Sequence, residues 1–408
     1  MRRAIKRART PATTPEFGRL LRYQSLGAAG DALLALALST TLFFSIPETT
    51  ARGRVALYLA LTVAPFAIVS PLLARLLDRH RGSLKWVMVG SSAGRATLTW
   101  LLATRLDSLF LFPLAFGVLL LSRAALIVRG AVLPGLVPTG DTLVKANSAL
   151  SRTSAIAGMI VGIPGIALIK WPGVATELIF AACIYYAGII PALRLPASKG
   201  RRPDSETADA KAKARRVSMR QAVFATAGMR MLVGFLVFHL AFALRRDDFG
   251  TVGLGLLVGA AAFGSLAGAL AAPRLRRSLK EEGIIVAGLV GAGLTAVVVG
   301  RWFTPISAGA LVFAFGLASG AAKVAFDAIV QRETPEAGRG WAFARFESML
   351  QLAWVAGGLV PLVFALPGSG GMIAVGLVAN AIAIIYTFGR HSVRSRVGFN
   401  EDAEGGQT

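Results

Sequence analysis

Residues 194–218 read RLPASKGRRPDSETADAKAKARRVS. This is the longest polar interruption in the chain, rich in Lys, Arg, Pro and small polar residues, and it has the composition of a linker. On both sides the chain turns apolar in runs of helical length. Outward toward the N-terminus the runs are 173–193, 151–170, 108–132, 86–104, 55–73 and 23–46. Toward the C-terminus they are 219–244, 251–271, 284–300, 305–330, 346–366 and 371–389. Each is close to the roughly 20 residues that cross a bilayer as a helix. Six spans on each side of one linker predict an all-α membrane protein of twelve transmembrane helices, in two pseudo-symmetric six-helix bundles. The predicted divisions are an N-terminal segment 1–22, a bundle 23–193, the linker 194–218, a second bundle 219–389 and a tail 390–408. Two breaks between spans, Lys170–Gly173 and Pro367–Gly371, rest on little more than Pro and Gly.

Composition agrees. Of 408 residues, 55% are hydrophobic and 16% charged, against about 45–50% and about 25% in a soluble domain. Mean hydropathy is +0.63. A soluble enzyme and a disordered chain are both disfavoured. The formal net charge of +23 would point to nucleic acid in a soluble protein, but its placement points elsewhere. With the N-terminus placed inside, the segments on that side hold 30 Lys and Arg, the opposite segments 7 and the spans 7. The positive-inside rule then puts both termini in the cytoplasm of a multi-pass plasma-membrane protein, and no nucleic-acid partner is expected. The basic start has no early apolar core and reads as a cytoplasmic lead-in, not a secretory signal. One cysteine, Cys183, and three dispersed histidines leave no internal disulfide and no metal-ligand set.

The halves also align with each other. At an offset of 197, Pro138 meets Pro335 and Ser151 meets Ser348. At 198, SPLLARLL (70–77) lies over GALAAPRL (268–275), and Gly90 meets Gly288. Two separate windows at nearly one offset support a duplicated six-span unit.

Three motifs resemble the major facilitator superfamily, and with the repeat the resemblance covers nearly the whole chain. The loop Ala74-Arg75-Leu76-Leu77-Asp78-Arg79-His80-Arg81-Gly82 is similar to the family's Gly-x-x-x-Asp-Arg-x-Gly-Arg. Asp78 and Arg79 match, the leading Gly is Ala74, and Arg81-Gly82 stand in swapped order. The resemblance implies that this loop is a cytoplasmic gate, its Asp facing the start of the eleventh helix; charges that only set topology are the plainer reading. The matching stretch Ala272–Arg277 has no acid. Gly158-x-x-x-Gly162-x-Pro164-Gly165 resembles the antiporter motif of exporters, with Ile163 separating a Gly and Pro that are adjacent there. Ordinary small-residue packing competes with that reading. Gln24 to Asp31 and Leu143 to Ser151 resemble the drug- and siderophore-exporter branch, near macrolide-efflux, enterobactin-exporter and lysophospholipid-transporter-like proteins. The resemblance implies the major facilitator fold and secondary transport.

Charges inside spans are costly and therefore mark sites. Asp31 lies in the first span, Arg123 and Arg129 in the fourth at matching depth. Arg230 lies in the seventh, Lys323 and Asp327 in the tenth. A shift of 198–199 residues carries Asp31 onto Arg230 and Arg129 onto Asp327, with opposite signs. This predicts a pair of Asp31 with Arg129 or Arg123, and a pair of Arg230 with Asp327. In the family these four helices line the central cavity. Asp31 is read either as a proton or substrate site or as half of a permanent ion pair. Lys323 and Asp327, four apart, can also pair on one helix face. Arg95, Arg152, Arg345 and Glu347 are assigned to snorkelling or gate contacts near span ends, and His239 to a hydrogen-bonded place in its bundle.

No phosphate-binding loop and no HExxH occurs. Gly90-Ser91-Ser92-Ala93-Gly94 fits G-x-S-x-G, but inside the third span, where helix packing explains it. The expected function is therefore non-enzymatic: an alternating-access transporter without a cofactor, acting as a monomer in the lipid bilayer. It is expected to export a hydrophobic or amphipathic small-molecule substrate in exchange for protons. A lysophospholipid or organic-solute transporter with other direction or coupling is one alternative, and a non-transporting membrane sensor another.

Overall fold

The computed structural model describes residues 14–43, 84–106, 108, 110–137, 141–196, 209–246, 250–335, 338–364 and 367–405. They form helices joined by short turns, with no strand among them. The helices are α1 (Pro15–Phe43), α2 (Leu84–Ala103), α3 (Leu111–Leu136), α4 (Asp141–Lys170), α5 (Val174–Ala187) and α6 (Ile189–Leu193). They continue with α7 (Asp209–Arg246), α8 (Gly250–Leu275), α9 (Glu281–Arg301), α10 (Pro305–Glu333), α11 (Arg339–Val363) and α12 (Gly368–Gly405). α5 and α6 are one span, Val174–Leu193, interrupted at Gly188. Eleven of the predicted spans thus have a described helix, and seven helices are long and apolar enough to cross a membrane by length and composition. The predicted span 55–73 and the loop with Asp78, Arg79, Arg81 and Gly82 lie outside the described residues.

Both doubtful breaks are real. Gly173, at φ 133°, separates α4 from α5, a backbone conformation that costs glycine nothing. α12 begins at Gly368, after Pro367. Several helices outrun their apolar cores. α4 begins at Asp141, α11 at Arg339 and α7 at Asp209 inside the predicted linker, while α12 continues to Gly405. Helical hydrogen bonding does not stop where hydropathy falls, so apolar runs underestimate helix length. The start of α10 shows the local chemistry. Pro305 occupies the first turn, Thr304 Oγ1 accepts from the Ser307 N–H at 3.2 Å, and Ser307 Oγ accepts from the Thr304 N–H at 2.8 Å.

The chain divides into two compact units, 1–202 with 335–345, and 203–334 with 346–408. In the first, α1 packs chiefly on α4 and α5, and α2 on α3 and α5. Its core gathers Leu34, Ala96, Leu102, Val118, Leu178 and Tyr185. In the second, α8 and α10 form the most extensive pairing. Gly264 and Gly268 face the carbonyls of Phe313 and Leu317, and Gly316 and Gly320 face those of Ala261 and Ser265. Each helix thus presents glycines four apart to the other's backbone, a small-residue packing suited to spans that gain nothing from hydrophobic burial in lipid.

Candidate functional site

Four helices of the first unit converge on Asp31. The Ser122 hydroxyl on α3 donates to Asp31 Oδ1 at 2.6 Å and the Tyr185 hydroxyl on α5 at 2.7 Å. Arg95 Nη1 on α2 stands 3.4 Å from the same oxygen. No donor among the described residues reaches Oδ2. The guanidinium lies over the Tyr185 ring, 4.7 Å from its centroid, and its Nε donates to the Ser91 carbonyl at 3.2 Å. Arg95 is 2% exposed, whereas the Asp31 side chain is 44% exposed. The site is thus an open carboxylate backed by a buried cation.

Glycines on α1 make room for this arrangement. A Cβ on Gly30 would lie 2.5 Å from Tyr185 Cε1, and one on Gly27 would lie 3.4 Å from Arg95 Nη1. The stretch Gln24–Asp31 therefore has a steric meaning: its glycines admit the two side chains that flank its acid.

The predicted partner of Asp31 needs correction. It is Arg95, not Arg123 or Arg129, both of which make interactions of their own. α3 turns Ser122 toward Asp31, and the next residue on a helix points about 100° away. Arg95 is not a snorkelling residue near a span end. It lies nine residues after the predicted span start at 86, as Asp31 lies eight after 23, or roughly 12–14 Å along parallel helices. That equality of depth was the sequence signal for the pair.

The second pair is also corrected. Asp327 Oδ1 accepts from Lys323 Nζ at 2.7 Å, so the i,i+4 pairing on α10 forms, and Arg230 on α7 is not its ion-pair partner. Lys323 bonds as well to Glu347 on α11, an acid assigned from sequence to a span end. A third cluster was missed. Arg332, in the last turn of α10, reaches Glu281 at 2.8 Å, Glu282 at 3.2 Å and Glu333 at 2.8 Å, and Arg276 adds a bond to Glu281 at 2.9 Å. Its signal was acids in the first turn of α9 and a base in the last turn of α10, each at the helix end whose dipole favours it.

The fifth-span motif packs α4 on α1. A Cβ on Gly158 would touch that of Ala32 at 3.5 Å, and one on Gly165 would lie 2.6 Å from Leu33 Cδ2. Nothing stands within 4 Å of a Cβ on Gly162. Pro164 sits inside the helix, and Gln24 Nε2 donates to Ser154 Oγ at 2.7 Å along the same seam. Ser92, the central serine of G-x-S-x-G, is buried in α2 against Gly188, which is helix packing. His239 stacks on Phe235 and meets the Gly368 carbonyl at 3.3 Å. No group of three or more metal-ligating side chains occurs among the described residues.

Residues 24–358 match the Major Facilitator Superfamily. The chain belongs to that superfamily. An uncharacterized protein of Mycobacterium leprae is 31% identical to this major facilitator chain over 376 residues, 81% of this chain and 64% of the relative. An uncharacterized protein of Mycobacterium tuberculosis is 29% identical over 374 residues, 81% of this chain and 66% of the relative. The chain thus spans about two thirds of the length of these relatives. Among solved structures, the human organic anion transporter MFSD10 (TETRAN) superposes with a TM-score of 0.73 at 15% identity, covering 91% of this chain and 100% of that one. A bacterial homologue of the iron transporter ferroportin, outward-facing with soaked iron, gives 0.71 at 18% identity, with 94% and 100% covered. These likenesses establish the major facilitator fold of an integral, multi-pass membrane protein.

Proposed function

We propose that this major facilitator protein is a secondary transporter that exports a hydrophobic or amphipathic small molecule in exchange for protons, with Asp31 as a point of contact for substrate or proton. The carrying observation is the asymmetry at Asp31. Three donors hold Oδ1, while Oδ2 and 44% of the side chain remain open. A permanent structural pair buries both charges; this one buries only the cation. Alternating access exposes a transport site to each side of the membrane in turn, and intramembrane acids serve proton pathways. The charge count supports a plasma-membrane protein with both termini cytoplasmic, and the linker 194–218 enters α7 at Asp209. It acts as a monomer without a cofactor and without enzymatic activity.

The test uses inverted vesicles and a substrate screen against a deletion strain. Uptake driven by an imposed proton gradient is the expected result. Movement indifferent to the gradient removes proton coupling, and D31N with full driven transport removes Asp31 from the mechanism. Collapse of D31N expression assigns Asp31 to structure.

A further inference from the structure

One buried acid belongs to none of these clusters. Glu177 stands in the first turn of α5 and is 0% exposed. Neither of its carboxylate oxygens has a hydrogen-bond partner among the described residues. The side chains that meet at Gly165 beside it are apolar. Leu33 and Leu36 of α1 crowd Gly165 of α4, and a Cβ on Gly165 would lie 3.8 Å from Glu177 Oε1. Leu33 Cδ2, 2.6 Å from that Cβ position, takes the room that Gly165 leaves, and the carboxyl lies in ordinary contact beside it.

The ionisable groups of the described helices around α5 do not bond to it. Among the described residues, α1, α2, α4 and α6 pack on it, and α3 shares its core through Val118; the two ionisable residues of α3, Arg123 and Arg129, make interactions of their own. Along α1, Glu16, Arg19, Arg22 and Tyr23 precede Asp31, and nothing ionisable follows it. On α2, Lys85 is in the first turn and Arg95 is bound to Asp31. On α4, Asp141, Lys145 and Arg152 lie in the first half, and Lys170 is exposed in the last turn. α6 has none, and α5 itself adds Cys183, Tyr185 and Tyr186. None of these bonds to Glu177. A charged carboxylate with no partner in an apolar site is strongly unfavourable, whereas the neutral acid is far less so.

We propose that Glu177 is a proton-binding site, occupied and sealed from water in this conformation. Its use rests on the transport reading above, in which the start of α5 faces the exterior. A proton entering from outside meets Glu177 before Asp31. Tyr185, eight residues or about two turns further along α5, already holds Asp31.

Infrared titration of the full-length chain in detergent reads proton occupancy directly. The expected result is a protonated-carboxyl C=O band at pH 7 that E177Q removes and D31N retains. A wild-type spectrum without that band, or an unchanged band in E177Q, overturns the proposal. Should E177Q fail to fold, E177D keeps the acid in a different position and must move the band; an unmoved band overturns the proposal as well. Transport is not part of this readout. Gradient-independent substrate movement would therefore defeat the coupling proposed above and leave the Glu177 band in place.

Discussion

Arg95 Nη1 and Asp31 Oδ1 stand 3.4 Å apart, but the two side chains are unequally buried, at 2% and 44% exposed. The pair therefore has a protected member and an open one. Loss of the open member strands a guanidinium in the protein interior, while loss of the protected member leaves a carboxylate that is only partly buried. Asp31→Ala is expected to cost about 3 kcal/mol, and Arg95→Met about 1 kcal/mol. The double variant should be more stable than Asp31→Ala alone. Thermal unfolding in detergent measures all three, and equal losses for the single variants would contradict the asymmetry.

Gly30 and Gly27 offer a steric contrast on one helix. A methyl group at Gly30 meets the Tyr185 ring at 2.5 Å, and one at Gly27 meets the Arg95 guanidinium at 3.4 Å. Gly30→Ala should destabilise by about 2 kcal/mol through overpacking, and also displace the Tyr185 hydroxyl from Asp31. Gly27→Ala should be near neutral, because the gain in helix propensity of about 1 kcal/mol offsets a tight contact. Unfolding midpoints that rank the two the other way would refute the contrast.

The glycines of the fifth-span motif are separable in the same way. Gly165→Ala drives a methyl against Leu33 Cδ2 at 2.6 Å, whereas Gly162→Ala meets nothing within 4 Å. The first should loosen the α1–α4 seam and lower the unfolding midpoint; the second should leave it unchanged or raise it. A Gly162→Ala protein that folds normally but fails to transport would show that the motif acts beyond packing.

In the second unit Lys323 serves two acids, Asp327 on its own helix and Glu347 on α11. Lys323→Met removes the cation between them and should cost about 3 kcal/mol. Glu347→Gln keeps the Lys323–Asp327 pair and a polar group facing the ammonium, so it should cost about 1 kcal/mol. Denaturation of the two purified variants tests the order.

Much of this molecule was legible in one sequence. Hydropathy located the described spans because a helix must satisfy its own backbone in lipid, and roughly 20 apolar residues are the only economical way to do so. The Lys323–Asp327 pair was legible for a similar reason: four residues on a helix fix a neighbour whatever the fold. Helix ends were less legible, since α4, α7 and α11 continue through polar residues that hydropathy discards.

The sequence by itself determined the class, the places of the described spans and which charges lie within them. It also placed Asp31 at the same depth as several basic residues. Only the tertiary structure decided among them. Depth is a property of one helix, whereas partnership depends on which faces of different helices meet. Ser122 turned Arg123 away, glycines at 27 and 30 admitted Arg95 and Tyr185, and Arg332 found Glu281 across 51 residues. The isolation of Glu177 is of the same kind, because burial without a partner is created by neighbours that no single span contains.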